Sequence, residues 1–379
     1  MTARDRILVF NAGSSSLKVG LFDGAATRRL DEKAVAWRLD ELDPAARAAI
    51  VRQMLGIVDC ARVAAVGHRV VHGGMRFTRS VRVDAAVRAG IAALAPLAPL
   101  HNPAALDVID AVAGAWPDIP QIAAFDTAFH QTLAPAAYLY AVPYAWHTEW
   151  GIRRFGFHGL SHAYCAGRAA EMLDRPVAEL RTVTCHLGSG CSLAAVDGGR
   201  SVATTMGFTP LDGLMMATRP GSLDPGILTF LLARGLLTAD ELDDALQHRS
   251  GLRGISGIAA DMRDILAARA NGHERAGLAF DLFVARLREG IAAMAASLGG
   301  LGALVFSGGV GENSSEIRAA VCATLGWMNI SLDPGRNEAA APDVDIATGD
   351  SPTRVLVIRT REDLMVARET ARLCRRDRA

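Results

Sequence analysis

Two stretches of this chain carry small polar and glycine residues in nearly the same order. Residues 6–24 read RILVFNAGSSSLKVGLFDG and residues 181–198 read RTVTCHLGSGCSLAAVDG: a short apolar run, a Gly/Ser turn, a second apolar run and Asp-Gly. Asn11, Gly13 and Ser14 align with His186, Gly188 and Ser189, and Asp23-Gly24 with Asp197-Gly198 after a one-residue gap. Copies half a chain apart predict two related domains. A strand, a glycine turn and a second strand expose backbone N–H groups and hydroxyls to an anion, so two such hairpins facing across a cleft would grip a phosphoryl group. Each hairpin taken alone is also an ordinary structural turn.

Other polar residues follow strand-like runs, where α/β folds present ligands. GHRVVHGG carries His68, Arg69 and His72, FDTAFH carries Asp126 and His130, and FGFHGLSH carries His158 and His162. Zinc is disfavoured because neither His pair encloses the Glu of HExxH and Gly159 argues against a regular helix there. A serine hydrolase is disfavoured by the absence of GxSxG. Positive charge lies beside small-residue turns at Arg69, Arg219 and Arg263, each of which could equally be a structural ion pair. Only Lys18 and Lys33 are lysines, so Lys18, just after the first turn, marks a place that wants a compact ammonium or is a chance survivor. SGGVGEN at 307–313 is a glycine turn between a strand and a helix, open to a flat ligand such as adenosine. Asp126 and Glu362, each just past a strand, are candidate hard oxygen ligands for Mg²⁺. Together these residues favour a nucleotide phosphotransferase.

The elements that must position them alternate. Strand patterns occur within 7–22, 63–71, 121–125, from 182, and at 304–307 and 355–358; helical patterns occur at 85–97, 103–115, from about 161, 224–234 with more helix through 246, 276–298, 315–325 and from 362. This is an α/β order with two similar lobes. The chain of 379 residues is 50% hydrophobic, enough for two cores, and its 40 basic and 40 acidic residues provide no field for nucleic acid or an anionic membrane. Glycines interrupt the longest uncharged stretch, 290–311, so no spanning helix is expected. The N-terminus does not read as a secretory signal, and six scattered cysteines suit free thiols in a reducing cytoplasm.

FNAGSSSLK, GHRVVHGG, LHNP, FDTAFH, FGFHGLSH, HLGSG, MGFTPLDGLMMATR, ISGIAADMRDI and GGVGENS occur in that order over nearly the whole chain, which thereby resembles the acetate kinase family of the acetate and sugar kinase, Hsc70 and actin superfamily. The resemblance implies a duplicated ribonuclease H-like α/β fold of two lobes with a cleft between them. The lobes would comprise 1–128 with 365–379, and a nucleotide-binding 129–364. It also implies a cytoplasmic homodimer that forms acetyl phosphate from acetate and ATP with Mg²⁺ or Mn²⁺. By that likeness Asn11, Ser14, Ser16 and Lys18 line the phosphoryl site, and His158 bonds the transferring group. Arg69 and Arg219 hold the carboxylate and the transition state, while Asp126 and Glu362, with Asn11, hold the metal. Val71, Leu100, Phe157 and Pro210 form the pocket for the acetate methyl. His186, Gly188, Ser189, Gly190, Asp261, Met262, Arg263, Gly309, Val310, Gly311 and Asn313 lie on the nucleotide side, and His101 and Arg318 also fall on motif positions.

The chain departs from the family pattern at five positions. Met75 replaces a Glu, Ser189 an Asn, Ala217 a Gly, Ser222 an Asp and Arg361 an Asn. Alternatives to an acetate-specific enzyme are a propionate or butyrate kinase, a pyrophosphate-dependent variant, and an actin-like nucleotide-binding module without small-molecule turnover. The Arg69 and Arg219 pair distinguishes the last, because an ATPase that uses water has no carboxylate to hold.

Overall fold

The computed structural model describes residues 5–13, 16–37, 42–99 and 101–376. Two compact units make up the chain: unit 1 comprises residues 1–131, 157–161 and 361–379, and unit 2 residues 132–156 and 162–360.

Unit 1 is built on a sheet of β1 (Arg6–Ala12), β2 (Ser16–Asp23), β3 (Arg29–Ala36), β4 (Val63–Val70), β5 (Val81–Arg82) and β6 (Gln121–Phe125), in the order β3-β2-β1-β4-β6-β5. β1 to β3 form an antiparallel meander, whereas β4 runs parallel to β1 and β6 parallel to β4. β1 and β6 are nearly all buried, as expected of strands covered on both faces. On one face Leu8, Phe10, Val19 and Val66 pack with Val51, Met54 and Leu55 of the helix Pro44–Gly56 and with Val108 and Val112 of the helix Asn102–Ala115. Burying each such side chain stabilises the fold by roughly 1.5–3 kcal/mol. The final helix, Glu362–Arg376, lies against β4, where a Cβ on Gly67 would collide with Thr370 Oγ1 and come within 2.8 Å of Val366 Cγ1. That glycine lets the helix approach, which brings Glu362, its first residue, to the C-terminal end of β4.

Unit 2 repeats the plan with β7 (Arg181–Leu187), β8 (Cys191–Asp197), β9 (Arg200–Thr204), β10 (Ala303–Ser307), β11 (Val344–Asp345) and β12 (Arg354–Val357), in the order β11-β12-β10-β7-β8-β9. Read from the other edge, this is the order of unit 1 strand for strand, with the same parallel and antiparallel pairings. Ala12 pairs with Leu17 but Leu187 pairs with Cys191, so the one-residue gap in the sequence repeat lies in the hairpin turn. The expected duplicated, ribonuclease H-like α/β architecture is thus present. Two helical expectations shorten: 85–97 is a helix only over Ala85–Ala93, followed by a 3₁₀ turn carrying Pro96, and 315–325 ends at Cys322. Among the described residues no helix is long and apolar enough to cross a membrane.

His68 and His130 are sealed inside unit 1. His68 stacks on Phe10 at 5.9 Å and donates from Nε2 to Gln121 Oε1 at 2.7 Å, while His130 donates to the Phe157 carbonyl at 3.0 Å. Burial pushes both down to about 4. An unfolded histidine titrates near 6.5, so between that pH and about 4 the unfolded chain binds protons that the native one refuses. Stability therefore falls on acidification through this window, by about 3 kcal/mol per histidine at its lower end. Asp126, whose carboxyl burial raises, acts in the opposite sense at the acid end. Urea unfolding at pH 7 and pH 5 checks this: His68→Leu should show a shallower pH dependence than wild type, and equal slopes would contradict the argument.

Candidate active site

The C-terminal ends of β1 and β4, the residue after β6 and the start of the last helix deliver Asn11, Arg69, Asp126 and Glu362 to one place in unit 1. Arg69 donates from Nε and Nη2 to Asp126, the shortest contact being 2.6 Å, and from Nη1 to Asn11 Oδ1 at 3.1 Å. Nη1 also pairs with Glu362 Oε2 at 3.1 Å, and Asn11 Nδ2 donates to that same oxygen at 3.3 Å. The Asp126 side chain is 1% exposed and that of Arg69 14%. Burial is the largest single influence on both groups: it raises the Asp126 carboxyl, helped by Glu362 and opposed by Arg69. It would depress the Arg69 guanidinium, but Asp126 and then Glu362 more than reverse this. Two carboxylates around one guanidinium leave the cluster with net charge about −1. Carboxylate and amide oxygens are the hard donors that Mg²⁺ takes, commonly from one or two carboxylates with phosphates completing the shell. Among the described residues no group of three or more His, Cys, Asp or Glu is placed to hold a metal.

Beside this cluster, Phe157 and Val71 are buried. His158 has φ +55°, a left-handed conformation that costs a non-glycine residue about 1–2 kcal/mol. Gly159, the first residue of the helix Gly159–Met172, sits where a Cβ would overlap the Asp126 carbonyl and lie 2.8 Å from Phe129 Cβ. Against the expectation that this glycine interrupts a helix, it begins one, and its role is close approach, which seats the His158 segment on the turn that begins at Asp126. Another brace is His72, whose backbone N–H donates to Asn102 Oδ1 at 3.1 Å while Asn102 Nδ2 donates to its carbonyl at 3.0 Å. Asn102, missed as a site residue, is legible only as the Asn of LHNP at a helix start. Ser16 opens β2, and Lys18 is exposed directly across the ladder from Asn11, an arrangement that places both on one face. Ser14 and Leu100 lie outside the described residues.

In unit 2 a cavity of about 530 Å³ is walled by Gly188 and Ser189 of the β7–β8 turn, by Asp261, Met262 and Arg263, and by Gly309, Val310 and Asn313. Gly190 and Gly311 lie off that wall, while His186 faces Gly188 at the foot of the turn. Asp261 caps the helix Met262–Ala270 and takes a two-point ion pair from Arg263, 2.6 Å at its shortest. These hydrogen bonds hold its carboxyl down at about 2. Glu312, which the sequence reading did not single out, accepts from the Gly308 and Thr360 N–H groups, both at 3.0 Å. Buried Arg318 donates to the Gly311 and Glu312 carbonyls, clamping the other end of the helix Gly308–Asn313.

Arg219 is partly buried in unit 2, and burial depresses its guanidinium. It donates to the Pro210 carbonyl at 2.9 Å and makes no ion pair among the described residues. The loop that carries it is tied down by Ala217 N–H donating to Ser189 O and by Leu252 and Arg253 N–H donating to Met216 and Ala217. His162 is engaged at both nitrogens by the Thr184 and Ser192 hydroxyls.

A Cβ on Gly309 would meet nothing within 4 Å. Gly309→Leu should therefore fold, since leucine favours a helix more than glycine does, yet project into the cavity. The expected outcome is loss of calorimetric ATP and ADP binding by at least about tenfold with an unchanged thermal midpoint. Wild-type affinity would remove the cavity from the nucleotide site.

Residues 45–368 match the sequence profile of the Acetokinase family. A curated acetate kinase from Synechococcus sp. is 49% identical over 393 residues, covering 95% of this chain and 97% of that protein. Among solved structures, the acetate kinase of Porphyromonas gingivalis superposes with a TM-score of 0.89 at 36% identity, covering 97% and 99% of the two chains. A propionate kinase from Francisella tularensis superposes with a TM-score of 0.88 at 34% identity and the same coverage. With its duplicated topology and these relatives, the chain belongs to the Acetokinase family.

Proposed function

We propose that this protein transfers the γ-phosphoryl group of ATP reversibly to the carboxylate of acetate, giving acetyl phosphate and ADP. One observation carries the reading furthest: among the described residues the partly buried guanidinium of Arg219 has a carbonyl as its hydrogen-bond acceptor and no carboxylate counter-ion, which leaves it poised to take an anion. A carboxylate is ionised at neutral pH, so its oxygen attacks the γ-phosphorus in line without a general base, and the bond to the ADP oxygen breaks. The requirement is cancellation of charge. Arg69 and Arg219 serve it, with His158 donating to an equatorial oxygen and Lys18, Ser14 and Ser16 flanking the phosphates. Asp126, Glu362 and Asn11 would hold Mg²⁺ or Mn²⁺, which supplies charge neutralisation to the phosphates when bound. Val71, Leu100, Phe157 and Pro210 receive the methyl group, and the unit 2 cavity receives the adenosine. Free cysteines, four of them buried, support a reducing cytoplasmic setting.

The test is a coupled assay with ATP, Mg²⁺ and acetate, propionate or butyrate, with and without a magnesium chelator. Arg219→Ala should lower turnover on the order of 10²-fold or more while leaving the unfolding midpoint near wild type. Full turnover in the folded variant would sink the assignment. Higher kcat/KM for propionate would move the substrate by one methylene, a difference worth about 1–3 kcal/mol.

We further propose a homodimer that uses unit 2. The helix Pro225–Ala233, sequence PGILTFLLA, has no buried residue, and Phe230 on it is 54% exposed, with Trp150 63% exposed elsewhere in the unit. An apolar helix left in water marks a contact surface. Light scattering after size exclusion should give twice the chain mass, and Phe230→Glu should give the monomer mass; a monomeric wild type refutes this.

A further inference from the structure

His130 is titratable, fully buried, singled out by the sequence and unused by the chemistry above. It sits on the 3₁₀ turn Asp126–Thr132 that follows β6, four residues after Asp126. Its Nε2–H donates to the Phe157 carbonyl at 3.0 Å, and the Phe129 ring stands edge-on to its own at 5.4 Å. Phe157 is held on another side by the His72 ring, 5.4 Å away and inclined at 71°. The anchored carbonyl belongs to the peptide plane that ends at the His158 nitrogen. Fixing the oxygen therefore fixes the plane from which His158 enters its left-handed conformation, while Gly159 pins the following residue on Asp126. One short turn thus carries Asp126 and holds the Phe157–His158 junction at two points.

We propose that His130 is a positioning residue that, through the Phe157 carbonyl, sets the Phe157 ring against the acyl chain and His158 against the transferring phosphoryl group, so that it governs both acyl-chain selectivity and turnover. The inference rests on the phosphoryl-transfer reading above. An imidazole suits the task because its Nε2 reaches the carbonyl from a rigid ring, and being buried and neutral it brings no charge to an acyl pocket. Displacing reacting groups by a fraction of an ångström is costly to rate. A shifted aromatic wall also alters the room for one more methylene.

His130→Gln and His130→Asn test it. Glutamine places its amide nitrogen near the position of Nε2, whereas asparagine is one methylene too short to reach the carbonyl. With acetate, His130→Asn should lose on the order of tenfold in kcat/KM, mostly in kcat. Its propionate-to-acetate ratio should rise severalfold, its KM for ATP should stay at the wild-type value, and exchange of the His158 amide hydrogen should quicken. His130→Gln should recover most of the lost rate and restore the ratio. Equal behaviour of the two variants, or an unchanged chain-length ratio in both, would overturn the proposal and leave His130 a packing residue. A wild type inactive on every short carboxylate would instead overturn the underlying phosphoryl-transfer reading, and the exchange rates at His158 would still report whether the anchor exists.

Discussion

The Arg69 guanidinium has to be neutralised where water scarcely reaches. Taking a charge out of water costs several kcal/mol unless partners meet it with good geometry, and removing one partner from such a pair is strongly destabilising. The partners come from far apart: Asp126 lies 57 residues beyond Arg69, and Asn11 and Glu362 are 351 residues from each other. Unit 1 meets that demand with parallel strands that end side by side and with a closing helix admitted by Gly67. The segment that carries Phe157 and His158 then docks on the turn that begins at Asp126 through Gly159 and His130, so its geometry is tied to the ion cluster.

The same framework serves a different purpose in unit 2. By strand register, His186 stands where Asn11 stands and Ser307 where Arg69 stands. Neither position carries an Arg or a carboxylate, so the ion cluster is not repeated at this register, and the turn between β7 and β8 is one residue shorter. The space this leaves is bounded by Gly188, Ser189, Gly309 and Val310, where backbone can lie against a ligand. Rigidity is restored from below, by Glu312 gathering two N–H groups and by Arg318 clamping two carbonyls. Duplication thus yields one unit specialised for charge and another for shape.

Arg69 and Arg219 form an unequal pair. Arg69 donates from Nε, Nη1 and Nη2 to protein oxygens and pairs with Glu362, which orients it firmly, whereas Arg219 is held mainly through its backbone loop. In the proposed transfer, donors held in either way need not reorient as charge develops.

Local chemistry was legible in the sequence. Apolar runs around Gly/Ser turns gave the two hairpins and their duplication. Glycines after β10 marked a place where backbone lines the unit 2 cavity, although Gly308–Asn313 is a short helix and not the expected turn, and isolated cations and carboxylates near strand ends marked Arg69, Arg219, Asp126 and Glu362, because turn propensity and period-two burial act over a few residues. Illegible were β3, whose RLDEKAVA reads as polar because it is an edge strand in water, and the helix Pro44–Gly56, whose alanine-rich run has little amphipathic contrast. Nor could the sequence show that Arg69 spends its donors on Asp126, that Gly159 is a contact point, or that His130 holds Phe157. Those facts depend on strand register and on which backbone atoms approach within a van der Waals radius, and only the packed tertiary structure decides them.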